Sequence, residues 1–377
     1  MRGRLIVAGG GIGGLAAALA LHRAGIETKL YERAPAFADI GTGMSLWPNA
    51  TRVLKALGVL DPIMGLGEPV TQFNLLRHDG APISNIAMGG FPTPALCIHR
   101  ADLHRSLRQP LPSSCMEANQ RLVSFVEDAG GVSARFAGGL VVRADGLIGA
   151  DGINSAVRAQ LHGAAGPVYR GYCIWRGIAP MVAGMVRGHI SESWGPGMRF
   201  GIMPMGQGRI CWYATQNCAQ GGSDSRDDRK QALIDLFRAW HPPIQSLLES
   251  TDPSDIIRAD ARDRGAIRSW GKGRVTLLGD AAHPITPNVG QGACMAIEDA
   301  ACLAKLVQKA PGVAEAFRSY EAVRSGRAAA IGRQARRIGF MGQWENPWMI
   351  RARNCATRLV LSRKPDMQLN AVYGHEV

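Results

Sequence analysis

Long apolar runs are missing from this 377-residue sequence. None approaches the roughly 20 residues that cross a bilayer as a helix, so no membrane span is expected. Met1-Arg2-Gly3-Arg4 has the charge of a signal-peptide start, but the apolar stretch behind it breaks at once into glycines. It reads as a first strand rather than a leader. No C-x-x-C pair occurs among the eight cysteines, Cys97, Cys115, Cys173, Cys211, Cys218, Cys294, Cys302 and Cys355. That spacing argues against zinc and against a disulfide framework. No metal site is expected, and a reducing, cytoplasmic compartment is. Acids are in the minority, 30 Asp+Glu against 43 Lys+Arg, for a net charge of +13. Yet the arginines are scattered. The densest stretch, residues 324–337, reads as a solvated basic helix face, so nucleic acid is not an expected partner. Internal repeats and low-complexity segments are absent too. What remains is an ordinary globular composition, 46% apolar, long enough for two or three domain-sized units.

The most informative feature present is Gly9-Gly10-Gly11-Ile12-Gly13-Gly14. It follows the apolar Leu5-Ile6-Val7 and opens an Ala/Leu-rich segment, the strand–turn–helix order that cradles a dinucleotide pyrophosphate. Gly9 makes the tight turn, Gly11 admits the phosphates, and Gly14 lets helix and strand pack. The helix N-terminus then presents free N–H groups to the negative charge. Glu32 ends the next apolar stretch, where a carboxylate can accept both hydroxyls of an unphosphorylated ribose, favouring FAD or NAD over NADP. This unit alone does not separate FAD from NAD.

Two further segments carry chemistry. In Val275-Thr276-Leu277-Leu278-Gly279-Asp280 a buried strand ends on a carboxylate at the sheet edge where α/β folds bind ligands. Gly290-Gln291-Gly292 then opens a long helix whose N-terminus can stabilise negative charge on a reduced flavin ring. The bland alternative is a connection in which Asp280 caps that helix. In Leu147-Ile148-Gly149-Ala150-Asp151-Gly152 a short strand again runs into Asp-Gly, with Arg158 one helical turn beyond. On its own this is a weak signal, because Asp-Gly is a common turn.

Hydrophobic periodicity gives strand, helix and strand up to residue 31, a loop over 39–49 and helices near 50–57, 100–107, 230–240, 243–248 and 292–308. Extended segments cover 70–86, 172–200 and 202–215, a hairpin is expected within 122–142, and the chain is mostly helical after residue 314. The dinucleotide-type strands are therefore far apart in sequence, with an antiparallel layer inserted between them. Gly195, Gly197 and Gly201 have the wrong spacing for a second phosphate loop, so a dedicated nicotinamide domain is not expected.

Together the three motifs, at these separations, resemble the single-component FAD-dependent aromatic monooxygenases with the para-hydroxybenzoate hydroxylase-like fold. Within them the salicylate, urate and 6-hydroxynicotinate hydroxylase-like group is the nearest pattern. Ser45-Leu46-Trp47-Pro48-Asn49-Ala50, His99-Arg100-Ala101-Asp102-Leu103, Tyr172-Cys173-Ile174-Trp175-Arg176-Gly177 and Trp194-Gly195-Pro196-Gly197-Met198-Arg199-Phe200-Gly201 extend the resemblance over essentially the whole chain. It implies an α/β fold: a Rossmann-like, glutathione-reductase-like FAD-binding domain with an inserted mixed or antiparallel-sheet substrate domain and a helical C-terminus. The corresponding boundaries are 1–69, 97–170 and 266–330 for the FAD-binding domain, 70–96 and 171–265 for the substrate domain, and 331–377 for the C-terminal segment.

Carried over residue by residue, the resemblance implies that Gly9, Gly11, Gly13 and Gly14 hold the FAD pyrophosphate. Glu32 and Arg33 would meet the adenosine end, Val123 would be a further cofactor-binding residue, and Ser45 would lie near the flavin. Arg100 would reach the ribityl or pyrophosphate region, Asp280 would bind the ribityl chain, and Gly290, Gln291, Gly292 and Ala293 would border the flavin pyrimidine. Asp151 and Arg158 match a motif tied to both FAD and NAD(P)H. The activity implied is hydroxylation of a small aromatic or heteroaromatic substrate: NADH or NADPH reduces FAD, O2 gives a flavin C4a-hydroperoxide, and one oxygen atom passes to the substrate. A flavin-dependent epoxidase, halogenase or reductase and a non-catalytic dinucleotide-binding module are the alternatives, and a monomer and a homodimer fit equally. Candidates for the substrate pocket are Arg199, as partner of an anionic or polar substrate or equally a surface arginine, with Tyr172, Trp212 and Tyr213, each of which fits a core role better than a pocket one. Pro284 and Pro287 would wall the flavin. No catalytic base is assigned: His99 reads as a packed neighbour of Arg100, and His283 as a support for the Asp280 loop.

Overall fold

The structure, a computed structural model, describes residues 3–37, 41–222, 228–363 and 371–376. The expectations at Met1, Arg2, Asp39, Ile40 and 364–370 lie outside these.

Leu5-Ile6-Val7 lies within β1 (Arg4–Ala8), followed by α1 (Ile12–Arg23) and β2 (Glu27–Tyr31). Eight consecutive residues of α1, Gly14–Leu21, are buried, because its alanines let it nestle between the sheet and the helix Gly292–Lys309. The sheet holds five strands in the order Val275–Leu277, Gly146–Gly149, β1, β2, Met116–Glu117, all parallel. Its members come from far-separated stretches of chain, as the motif spacing predicts. The expected hairpin in 122–142 is a three-stranded meander, Leu122–Asp128, Gly131–Phe136 and Val141–Ala144, with Gly130 in the first turn and Gly138-Gly139 in the second connection.

The inserted layer is a seven-stranded sheet in the order Ile257–Asp263, Val168–Pro180, Arg209–Asn217, Met198–Met205, His189–Gly195, Gln72–Arg77, Pro82–Ala87. Its pairs are antiparallel except His189–Gly195 with Gln72–Arg77. It is thus a mixed sheet. One face is covered by the helices Arg229–Leu236 and Ile244–Ser250, around Trp175, Phe200, Trp212, Phe237 and Trp240. The opposite face carries Tyr172, Arg176, Arg199 and Tyr213. Cys211, also on it, meets Gly43 in the strand Gly43–Leu46, where a loop is expected from sequence. That strand pairs with Ala95–His99 and is short, so periodicity does not reveal it.

Two helices, Val313–Gly342 and Pro347–Arg363, close the chain. The first runs unbroken through position 331, so the boundary expected there falls inside one element. It packs along Gly292–Lys309, while Pro347–Arg363 packs on the edge strand Pro82–Ala87.

Candidate active site

Register brings the three motifs together. Ala8 is level with Gly149 and with Tyr31, and Gly149 with Leu277. The chain therefore leaves one sheet edge at Gly9, Glu32, Ala150-Asp151 and Leu278-Gly279-Asp280. That edge is the carboxyl end of parallel strands, where such sheets bind ligands.

The glycines divide the work. Gly9 sits at φ +112°, and a Cβ there would overlap the Ala150 carbonyl. A Cβ on Gly14 would overlap the Gly9 carbonyl oxygen. Gly13 lets α1 approach Leu278 and Ala296, its Cβ position lying 3.0 and 3.1 Å from their side chains. Gly11 alone faces open space, with no atom within 4 Å of its Cβ position. Three of the four are fixed by packing, and the fourth leaves room for a ligand. Glu32 braces the loop, its Oε2 accepting from Gly10 N at 2.5 Å and its Oε1 from Ala34 N at 2.8 Å. His104 Nε2 pairs with the Gly10 carbonyl at 2.8 Å. Arg33 is exposed, and Val123, 43% exposed, is the second residue of the strand Leu122–Asp128, just beyond Gln120, whose N–H donates to the Glu32 carbonyl.

Across the edge, Asp280 is open to solvent and accepts no hydrogen bond from the described residues. Burial of its surroundings nevertheless pushes its pKa up, partly offset by the positive fields of His283 and Arg100. A carboxylate exposed yet poorly solvated sits in a recess. It does not cap the helix Gly292–Lys309, whose N-cap Gln291 makes no side-chain cap. Gly292 faces it, with a Cβ position 4.0 Å from Asp280 Oδ1. Gly290 adopts the left-handed conformation at φ +61°, and a Cβ there would come within 2.8 Å of both Ser45 Oγ and Trp47 Nε1. Gln291 is fully buried; its Oε1 accepts from Asn49 at 2.9 Å, while its Nε2 and the nearby Trp47 Nε1 have no partner among the described residues. Ala293 follows in the first turn, half-buried.

Both helices that start at this edge, α1 and Gly292–Lys309, lack a side-chain cap and an acid in the first turn. Their first N–H groups meet no side-chain cap among the described residues, and each end carries a partial positive charge of about half a unit. Two uncapped helix ends, packed against each other through Gly13 and Ala296, fit an extended polyanion with a ribityl chain between Asp280 and Arg100. FAD fits this donor set.

Several sequence candidates take other positions. Asp151 turns back to cap the helix Ala156–His162, its Oδ2 accepting from Ala156 N at 2.7 Å and Val157 N at 3.3 Å. Arg158 is buried and donates to the carbonyls of Ala281 and Ala282 at 3.0 and 2.7 Å. Burial and the neighbouring Arg264 lower its pKa. These two residues bolt the Asp280 turn to the sheet. Arg199, expected to meet an anionic substrate, is 2% exposed with a partner at each guanidinium nitrogen: Nη1 donates to Glu192 at 3.0 Å, Nη2 to Asn288 at 2.6 Å and Nε to Gln343 at 3.0 Å. It ties the large sheet to the loop after Asp280 and to the C-terminal helices. Tyr172 joins that tie through Asn288. Trp212 lies on the helix-covered face, donating to Thr251 Oγ1 at 2.8 Å, and is core rather than pocket. Tyr213 is on the opposite face, and burial and the Glu192 carboxylate raise its phenol well above its ordinary pKa. Pro284 is buried beside a small cavity lined by Arg264, Ile267 and Trp270, whereas Pro287 is exposed. His99 caps the helix Arg100–Arg108 through Ala101 N, and His283 Nε2 pairs with Asp299 at 2.6 Å. Both act as supports.

Sequence reasoning missed Arg176 and a buried ionic hub. Arg176 is opposite Tyr213 on the face turned toward Gly43. Burial lowers its pKa, the nearby Cys211, Tyr172 and Tyr213 offset this in part, and it has no carboxylate partner among the described residues. The hub joins Glu298 and Asp299 to Arg324, which is fully buried, and to Arg327. Asp299 also accepts from Gly279 N at 3.1 Å. Burial pushes Asp299 up, but His283 and Arg324 outweigh it and hold the carboxyl at about 2. The basic stretch 324–337 is therefore not a uniformly solvated face: Arg324 and Arg327 turn inward, and Arg333 and Arg337 outward. Adjacent acids within an apolar helix, Ile297-Glu298-Asp299-Ala300, were the available signal.

Comparison with known proteins agrees with this geometry. Residues 4–335 match the family model described as FAD binding domain. The chain is 41% identical over 366 residues to an aurachin C monooxygenase/isomerase of Stigmatella aurantiaca, covering 96% of this chain and 95% of that one. It is 33% identical to a 6-hydroxynicotinate 3-monooxygenase of Bordetella bronchiseptica, covering 91% and 93%. Its fold superposes on Klebsiella pneumoniae HpxO complexed with FAD and uric acid at a TM-score of 0.91 and 29% identity, over 98% and 96% of the two chains. With a phosphate loop, a second uncapped helix end and a free carboxylate converging on one sheet edge, the chain belongs to the FAD-binding-domain family and is a flavoprotein monooxygenase of the aromatic hydroxylase type.

Proposed function

We propose that this enzyme uses NADH or NADPH and O2 to hydroxylate a small heteroaromatic ring bearing an acidic hydroxyl or a carbonyl. The observation that carries the substrate class is Arg176, a cation without a carboxylate partner among the described residues, on the sheet face turned toward the cofactor edge. Two similar proteins are named for, or bound to, oxygen-substituted nitrogen heterocycles: 6-hydroxynicotinate and uric acid.

On this reading, residues 1–69, 97–170 and 266–330 bind FAD and residues 70–96 and 171–265 cover the substrate. Gly11 and the free N–H groups of α1 hold the pyrophosphate, Glu32 the adenosine ribose, Asp280 and Arg100 the ribityl chain, and Gly290–Ala293 the pyrimidine edge. Bound FAD supplies hydride acceptance and oxygen activation. The chain's own residues do the rest. Arg176 pairs with the substrate's oxygen, and that charge-assisted bond favours the ionised, electron-rich ring that accepts oxygen. Tyr213, held neutral by its raised pKa, offers or relays a proton beside Arg176. Arg199, Asn288 and Tyr172 fix the loop over the site and keep water out, a positioning role. NAD(P)H approaches from the surface, in line with the lack of a second phosphate loop.

The test is NAD(P)H consumption by the flavin-loaded enzyme across hydroxylated pyridines, quinolones and purines. The reading expects substrate-stimulated oxidation with one atom of isotopically labelled O2 in the product. Stimulation that yields only hydrogen peroxide, or none with any ring carrying an ionisable oxygen, would overturn it.

A further inference from the structure

The C-terminal helix Pro347–Arg363 is amphipathic the wrong way round. The side it turns to the body of the protein carries Ile350, Arg353, Asn354, Thr357 and Leu361, of which Arg353 is 3% exposed. Arg353 donates to the carbonyls of Met341 and Gly342 and lies over the Trp194 ring at 4.7 Å. Solvent meets Trp348 (76% exposed), Met349, Ala352, Cys355, Ala356, Leu359 and Val360. At about 100° per residue these positions span an arc of roughly 140°, with the exposed Arg351 and Arg358 together along one margin. Between Pro347 and Arg363 there is no Asp or Glu. A contiguous apolar face, a large indole at one end and cations at the margin make the pattern of a helix that lies in a lipid interface.

We infer that this helix docks the enzyme on an anionic phospholipid surface, with Trp348, Leu359 and Val360 in the headgroup–acyl boundary and Arg351 and Arg358 against lipid phosphates. Charge selects this occupant. The chain carries +13, and a second copy of it would bring the same arginines to the same margin. An acidic bilayer complements both the apolar arc and the cations, each basic residue near such a surface adding attraction that salt screens. No helix among the described residues is long and apolar enough to cross a membrane, so the association is peripheral. It is independent of the substrate proposed above.

The experiment is flotation of the FAD-loaded full-length enzyme, followed by flavin absorbance, with vesicles of phosphatidylcholine alone or mixed with phosphatidylglycerol. The enzyme should float with the anionic vesicles, less with the neutral ones, and less again in high salt. Trp348→Ser with Leu359→Ser, and separately Arg351→Glu with Arg358→Glu, should each lower partitioning by about tenfold or more, with flavin content and melting temperature unchanged. A wild-type enzyme that ignores both vesicles would overturn the inference. So would variants that float as well as wild type. A dimer that Trp348→Ser with Leu359→Ser turns into monomers, with no vesicle binding, would assign the face to a second copy instead.

Discussion

The cofactor edge of the parallel sheet and the inner face of the large sheet lie in one molecule but are built on different principles. The first is made of backbone. Gly9 and Gly14 are there because a Cβ would overlap a carbonyl, and Gly290 because it needs a left-handed φ beside Ser45 and Trp47. The second is made of side chains that meet across long sequence distances. Arg199 reaches Glu192, Asn288 and Gln343, and Arg176 reaches no carboxylate among the described residues. Backbone sites tolerate almost no substitution at fixed positions, whereas side-chain sites can be rebuilt. One family can therefore hold one cofactor and accept many substrates.

The comparison breaks most directly at Gly14. Gly14→Ala should prevent stable folding or cost more than about 3 kcal/mol, read as lost soluble expression or a collapsed melting temperature. Gly11→Ala, three residues earlier but facing open space, should fold with the melting temperature of the flavin-stripped wild type and lose flavin. Equal effects of the two would erase the distinction between packing glycine and ligand glycine.

Next in size is the hub beneath the edge. Arg324→Met leaves Glu298 and Asp299 without their shared buried cation and should cost about 3–5 kcal/mol by urea denaturation. On the substrate side, Arg176→Met should raise KM for an anionic or carbonyl-bearing ring about 10- to 100-fold, the loss of a charge-assisted hydrogen bond. The protein should otherwise keep its flavin content and stability, and Arg176→Lys should recover part of the loss. A parallel fall in flavin content would move Arg176 from the substrate side to the cofactor side. The smallest effect is on pH. Because the Asp299 pKa is depressed in the fold, its contribution is complete above about pH 4 and is lost as pH falls toward 2. The loss is about 2 kcal/mol, and Asp299→Asn should flatten that part of the stability–pH curve.

The same contrast explains what could be read from the sequence. The glycine loop, Glu32 and the Gly279-Asp280 turn were legible because local backbone geometry dictates residue type. The discontinuous sheet followed from where those motifs fall. Arg199 was legible as a residue but not in its role, because nothing local to it announces Glu192, Asn288 and Gln343. Trp212 could not be assigned to a face of its sheet until register set it opposite Gly177. The inward turn of Arg324 was hidden because a helix that is basic overall reads as solvated until its acidic partners, some 25 residues away, are in place. The strand Gly43–Leu46 is too short to show a period.

The central claim is that two uncapped helix ends and Asp280 together grip FAD. Its most direct test is a titration of FAD into flavin-stripped wild-type and Asp280→Ala proteins, followed by flavin fluorescence. Saturation at one FAD per chain in the wild type, with at least about tenfold weaker binding and an unchanged melting temperature in the variant, is the predicted result. Equal affinities, or a wild-type chain that never saturates, would contradict it.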